Sequence, residues 1–324
     1  DQLNALQKLG CLRTCLDTEA ILSSAGSCHK LAQRAEAEHD DEVLSRMASV
    51  AIHRGRALLD ELDRRGDDLT ELCSNDIEEL RALRWIPIIE EPHEALLPRV
   101  KDTNKVAISS PRDCRPVSDS WYCSAVLHLV SRANEPRSPA LLKILGWNVE
   151  VSSEVIARQL IALGLSFDDI LEGAALSLDD ADSGMSQNSD DNSSSDDGEG
   201  SMNDNSSDQE RAFISFCRAL SSAVPRMYDI LNRSKNDENN FEQARQLLTS
   251  EKNGWIWLGV GGMRPSRFVA MKAPDFRVPT RKIDNIISAG IYLQKRPLSE
   301  IPDSLSTYDE LFRSLGVKEE FGVE

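Results

Sequence analysis

Long apolar runs are missing from these 324 residues: no uninterrupted stretch approaches the ~18 residues that a membrane-spanning helix needs. Histidine is scarce, at five (His29, His39, His53, His93 and His128), and no two stand at HExxH or other paired ligand spacing. No serine lies in a G-x-S-x-G elbow, and no G-x-x-x-x-G-K-[ST] loop is present. The opening DQLNALQ is no signal peptide. Without an initiator methionine, the sequence reads as a piece of something longer. Seven cysteines (Cys11, Cys15, Cys28, Cys73, Cys114, Cys123 and Cys217) are odd in number and scattered, which fits reduced thiols in a cytosolic or nuclear protein. Basic residues are outnumbered 37 to 54, and a net charge of −17 repels nucleic acid and anionic lipid alike. Neither is expected as a partner.

The charge is not evenly spread. Residues 177–210 hold 11 Asp and Glu and no Lys or Arg, so the remainder carries −17 + 11 = −6. Asp, Ser, Asn and Gly offer that stretch almost nothing to bury, and it is expected to be disordered. Around it the chain is mostly helical. Thr18 is expected to cap a helix with Ile21, Ala25, Cys28 and Ala32 on one face. The second helix, 40–65, has Asp40, Asp41 and Glu42 at its start and Gly66 as a C′ residue. Asn75 and Glu78 resemble a capping box. RWIPII (84–89) turns extended at Pro87, and VAIS (106–109) reads as a short edge strand. Residues 120–132 are expected to be helical. Ser138, Pro139 and Gly146 bracket another helix, and Ser152 starts one stopped by Gly164, with a further helix after Ser166. Beyond the insert, Phe213, Phe216, Cys217 and Leu220 form a helical stripe that Pro225 ends or kinks. Thr307 and Glu310 open the last helix, with Gly316 at its C′ position.

The clearest β signal is GWIWLGVGGMRPSRFVAM (254–271), read as strand, Gly/Pro loop and returning strand. A strand's alternation puts Trp255 and Trp257 on opposite sides, and they are expected to anchor the second lobe to the first. Gly259, Gly261 and Gly262 approach a phosphate-binding pattern, yet Pro265 and a strand follow where a dinucleotide loop needs a helix. They are turn glycines. Cys11, Cys15, Cys28 and His29 lack a second ligand pair for zinc, and Asp40–Asp41 and Asp168–Asp169 are helix-start acids. No catalytic, cofactor-binding or metal residue is assigned. Ser177, Ser193, Ser194, Ser201 and Ser207 each precede an acid by three positions. They read either as sites for an acid-directed kinase or as incidental serines of a solvated linker.

The fold expected is α+β, predominantly helical with a small antiparallel sheet collecting WIWLG, RFVAM and, as a further candidate, RWIPII. Two lobes, 1–176 and 211–324, flank the disordered insert 177–210.

Several motifs, taken in order, resemble the sacsin-like family, which includes plant and algal relatives. They are LNALQKLG (3–10), RWIPI with Trp85 and Pro87, LLKILGW to VIARQL (141–160), WIWLG with Trp255, Trp257 and Gly259, PSRFVA from Pro265, IPDSL (301–305) and SLGVKEEFGV with Gly316. In that family such segments follow a GHKL-type ATPase module. None of its ATP-binding motifs is visible here, so no ATPase residue carries over. The resemblance implies a cytoplasmic, non-catalytic scaffold in protein folding and quality control. Its partners would be other segments of a larger parent chain, seventy-kilodalton heat-shock chaperones and client proteins. A rival reading has the segment complete or regulate a neighbouring ATPase module, for example through Arg264 or Arg267, and a third is a phosphoregulated protein-binding module centred on the insert.

Overall fold

Asp17, not Thr18, starts the first described helix. Its carboxylate accepts the Ala20 N–H at 2.8 Å, and α1 spans Thr18–Ala37 with Ile21, Ala25, Cys28 and Ala32 buried. Asp40 does the same for α2 (Asp41–Arg64), accepting from Glu42 and Val43 at 2.9 and 3.3 Å. Gly66 after it is not left-handed, as a C′ glycine would be. It is glycine because a Cβ would run into the Ser138 side chain. This computed structural model describes residues 17–66, 72–89, 97–99, 106–183, 204–250, 252–272, 289, 293 and 298–320. Expectations for 1–16 and for the run 283–287 lie outside them.

The chain divides into two compact units, 1–95 with 99–150 and 151–324 with 96–98. In the first, α1 and α2 pack as a hairpin, followed by α3 (Ser74–Ala82). The Asn75–Glu78 box does not form; Asp76 accepts the Cys73 N–H instead, at 3.2 Å. Next, β1 (Ile86–Pro87) pairs antiparallel with β2 (Ile108–Ser109), and β3 (Cys114–Pro116) leads into the short α4 (Ser120–Cys123). The helix expected over 120–132 ends there, because β4 (His128–Val130) is drawn into parallel pairing with β3. Helix α5 (Pro139–Leu145) has its expected boundaries. Ser138 Oγ accepts from Leu141, and Gly146 stands at φ 79°. The Trp147 N–H then reaches the Leu142 carbonyl at 2.8 Å, the 6→1 bond of a Schellman ending. Trp85, Leu59, Leu62, Leu80, Ile86 and Ile108 form the centre of the core.

The second unit opens with α6 (Ser153–Ser183), which continues through Gly164 instead of stopping and absorbs the helix expected after Ser166. A Cβ on Gly164 would lie 2.6 Å from the Gly254 carbonyl, so this glycine permits close approach and not chain reversal. α6 packs on α7 (Asp204–Ser234) and α8 (Glu238–Leu248), and therefore belongs with the second unit although 151–176 was placed in the first lobe. Residues 177–183 and 204–210 of the expected disordered insert are helical, and 184–203 lie outside the described residues. Pro225 does not end α7.

Then β5 (Ile256–Trp257) pairs antiparallel with β6 (Met263–Arg264), so the hairpin closes earlier than the expected return at 267–271. RFVAM instead supplies β7 (Val269–Lys272), the centre of a three-stranded parallel sheet with β8 (Ser299–Glu300) and, after α9 (Asp309–Ser314), β9 (Lys318–Glu320). The Thr307–Glu310 box is replaced by a 3-10 turn, Asp303–Tyr308, running into α9. Gly316 has the expected C′ role, at φ 82°. The fold is α+β and predominantly helical. The single antiparallel sheet is corrected: the described residues form four small ones, two antiparallel and two parallel. RWIPII, WIWLG and RFVAM each go to a different sheet: WIWLG pairs with residues 263–264 just after it, whereas RWIPII pairs with 108–109 and RFVAM with 299–300 and 318–320.

Gly26 and Gly55 offer a paired test. A Cβ at Gly26 in α1 meets nothing, whereas one at Gly55 in α2 runs into the Trp85 carbonyl. Gly26→Ala is expected to stabilise by about 0.5–1 kcal/mol through helix propensity. Gly55→Ala is expected to destabilise by about 1–3 kcal/mol through overpacking. Denaturant midpoints read both, and equal signs would refute the assignment.

Candidate functional site

The segment 254–271 is built for packing. Trp255 is wholly buried and Trp257 nearly so; both tryptophans, on the two sides of the strand, are packed. Among the described residues their aromatic neighbours belong to the second unit itself. Trp257 meets Phe167 edge-on at 5.7 Å, and Trp255 lies 6.1 Å from Tyr228 and 5.8 Å from Phe312. Tyr228 locks the strand to α7. Its hydroxyl donates to the Trp255 carbonyl at 2.8 Å and accepts the Trp257 N–H at 3.0 Å. Burial drives its ionisation well above the ordinary tyrosine range. Gly259 (φ 70°) and Gly262 (φ 81°) supply the turn, with the Leu258 N–H donating to the Gly262 carbonyl at 2.9 Å. Pro265 precedes a 3-10 turn that aims the chain into β7.

Of the two arginines, Arg264 is half-buried and donates to the Leu293 carbonyl at 3.0 Å; desolvation lowers its pKa, against the opposing pull of Asp168. Arg267 is exposed, with its guanidinium 4.4 Å from the centre of the Phe268 ring. Only Arg267 is presented outward.

The other sequence candidates are dispersed. Trp85 is buried with its indole N–H on the Leu80 carbonyl at 3.0 Å, and Pro87 pairs with Ile108. Cys28 is buried in α1. His29 Nδ1 accepts the Arg84 N–H at 3.3 Å, while its Nε2 lies 2.9 Å from Gln33. No group of three His, Cys, Asp or Glu side chains among the described residues is disposed to hold a metal. Ser177 lies within α6 and Ser207 within α7; Ser193, Ser194 and Ser201 lie outside the described residues.

One concave feature was invisible to the sequence. A shallow cleft of about 190 Å³ opens at the carboxyl ends of β7, β8 and β9, the side of a parallel sheet where ligands are usually held. Lys272, Asp303, Asp309, Arg313, Glu319 and Glu320 bring both signs of charge to it. Arg313 donates through Nε to Glu319 at 3.0 Å, which leaves the acids in excess. Parallel strands from distant parts of the chain converge here, and no local spacing announces it. Such a cleft suits a charged side chain or small polar group.

Tyr308 is the other residue the sequence missed. Its oxygen lies 2.9 Å from the Pro225 carbonyl and 2.8 Å from Asp229 Oδ1, tying the 3-10 turn to α7. Burial first, then Asp229, pushes its pKa up to about 12. The folded state therefore holds this proton more tightly than the unfolded chain. The contribution is fully present below the ordinary tyrosine pKa, near pH 10, and is lost as pH rises through 12. Tyr308→Phe is expected to flatten the fall in stability between about pH 10 and 12, measured by urea unfolding at fixed pH. An unchanged slope would refute it.

The thiols divide sharply. Cys28, Cys114, Cys123 and Cys217 are buried, and desolvation raises all four, Cys123 to about 12 and Cys217 to about 11. Cys73 is exposed. Among these five, alkylation of the native protein near pH 8 is expected to label Cys73 first, with the rest reacting on denaturation; peptide mass mapping reads the order. Comparison with family models, with curated proteins and with solved structures finds no match.

Proposed function

We propose that this chain is a non-catalytic scaffold segment of a sacsin-like chaperone or co-chaperone, acting in the cytoplasm in protein folding and quality control. The observation that carries the reading is where the resemblance falls. Its most specific residues, Trp85, Trp255, Trp257, Gly259 and Gly316, are core or turn residues. What the resemblance covers is thus a packing framework, and a framework positions neighbours by its shape. Its partners would be adjoining segments of a longer chain, heat-shock chaperones and unfolded clients. No described helix is long and apolar enough to cross a membrane.

The test uses the purified chain with a seventy-kilodalton heat-shock chaperone and, separately, with a heat-unfolded client followed by light scattering. Saturable binding or slowed aggregation is expected. Failure of both would remove the chaperone reading. The outward Arg267 keeps one alternative open, that the segment contributes a cation to an ATPase module supplied by the parent chain. ATP turnover of the parent protein carrying Arg267→Ala decides it: an unchanged rate rejects the alternative.

A further inference from the structure

We infer that the two units are tandem copies of one folding module. Among the described residues, each has two long helices packed together and then a shorter third: α1, α2 and α3 in the first, α6, α7 and α8 in the second. In both, the short helix packs against the first of the long pair. A Trp-Ile step follows, with the tryptophan 0% exposed in each case. The Trp85 N–H donates to the Ser109 carbonyl at 3.1 Å, and the Trp255 N–H to the Arg264 carbonyl at 3.2 Å. The next residues pair in one register, Ile86 with Ser109 and Ile256 with Arg264.

From these anchors the chains march in step. Cys114 starts β3 five positions after Ser109, and Val269 starts β7 five positions after Arg264. Both strands then take a parallel partner, β4 in the first unit and β8 in the second, with Cys114 opposite His128 and Val269 opposite Ser299. Each partner leads to a short helix closed by Leu-Gly. Gly146 and Gly316 have φ of 79° and 82°, and Trp147 and Val317 donate to Leu142 and Phe312 at 2.8 and 3.0 Å. A shared fold class gives none of this agreement in register, spacing and capping.

The copies differ where a duplicated module diverges most cheaply, in connections. The residues joining the paired helices are 38–40 in the first and 184–203 in the second; those joining the antiparallel strands are 88–107 against 258–262. The acidic stretch is thereby located as an insertion into the helix-pair turn of the second copy. Two divergences lie deeper. β9 adds a third parallel strand in the second unit, whereas the corresponding Val149 and Glu150 carbonyls of the first accept the Arg115 guanidinium at 3.0 and 3.5 Å. The glycine that admits the tryptophan segment is on the second helix in one copy (Gly55) and the first in the other (Gly164).

Equivalent positions in two modules have equivalent, separable effects, and hydrogen exchange on the full chain measures them. Gly146→Ala and Gly316→Ala each force a side chain onto positive φ. Each is expected to speed amide exchange by about 5- to 30-fold. For Gly146→Ala this falls on β3, β4 and α5, and for Gly316→Ala on β7, β8 and α9, each stopping at the 150/151 boundary. Acceleration on both sides of that boundary by one substitution overturns the inference, as does acceleration of non-corresponding elements. Should an alanine variant fail to fold, Gly→Asn at the same position, which tolerates positive φ better, is read in the same way.

Discussion

In both units one buried indole decides where everything else goes. Trp85 and Trp255 are the largest fully buried side chains among the described residues, and each immediately precedes a strand, its own N–H closing the antiparallel pair. Burying such a ring removes 150–250 Å² of surface from water. It succeeds only if the helices come close enough to cover it, and Gly55 and Gly164 remove the Cβ atoms that would hold them off. Trp85 also satisfies its indole N–H on the Leu80 carbonyl. Trp255 Nε1 has no acceptor among the described residues and is surrounded instead by the rings of Tyr228 and Phe312. The second core therefore rests more heavily on aromatic packing and on the Tyr228 hydroxyl, which engages the backbone on both sides of Ile256.

Much of the helical framework was legible. Ser138, Pro139 and Gly146 bound α5 as their chemistry requires, and the Ile21–Ala25–Cys28–Ala32 stripe faces inward. Helix ends without a side-chain signal were harder. Gly164 is an ordinary stop signal in sequence and a helix-interior contact in the fold, because tertiary approach of Gly254 overrides local propensity. Pro225 looked like a breaker, yet α7 continues through it, and its carbonyl accepts the Tyr308 hydroxyl.

Strand pairing was the least legible part. VAIS and WIWLG were recognised as extended, but which strand each meets depends on loop closure across distances that no local pattern encodes. The cleft beside Lys272 and Arg313 was unreadable for the same reason, since it exists only once β7, β8 and β9 align in parallel. Residues brought together by the hydrophobic period were found; residues brought together by sheet order were not.

The chain uses glycine in two incompatible senses, and handedness separates them. Gly146 and Gly316 occupy a backbone region natural to the mirror-image amino acids, so a D-alanine there would sit without strain. Gly55 and Gly164 need the absence of an atom, whichever hand it belongs to. Chirality is therefore the constraint at the ends of the short helices, and sheer volume is the constraint where helix meets tryptophan strand.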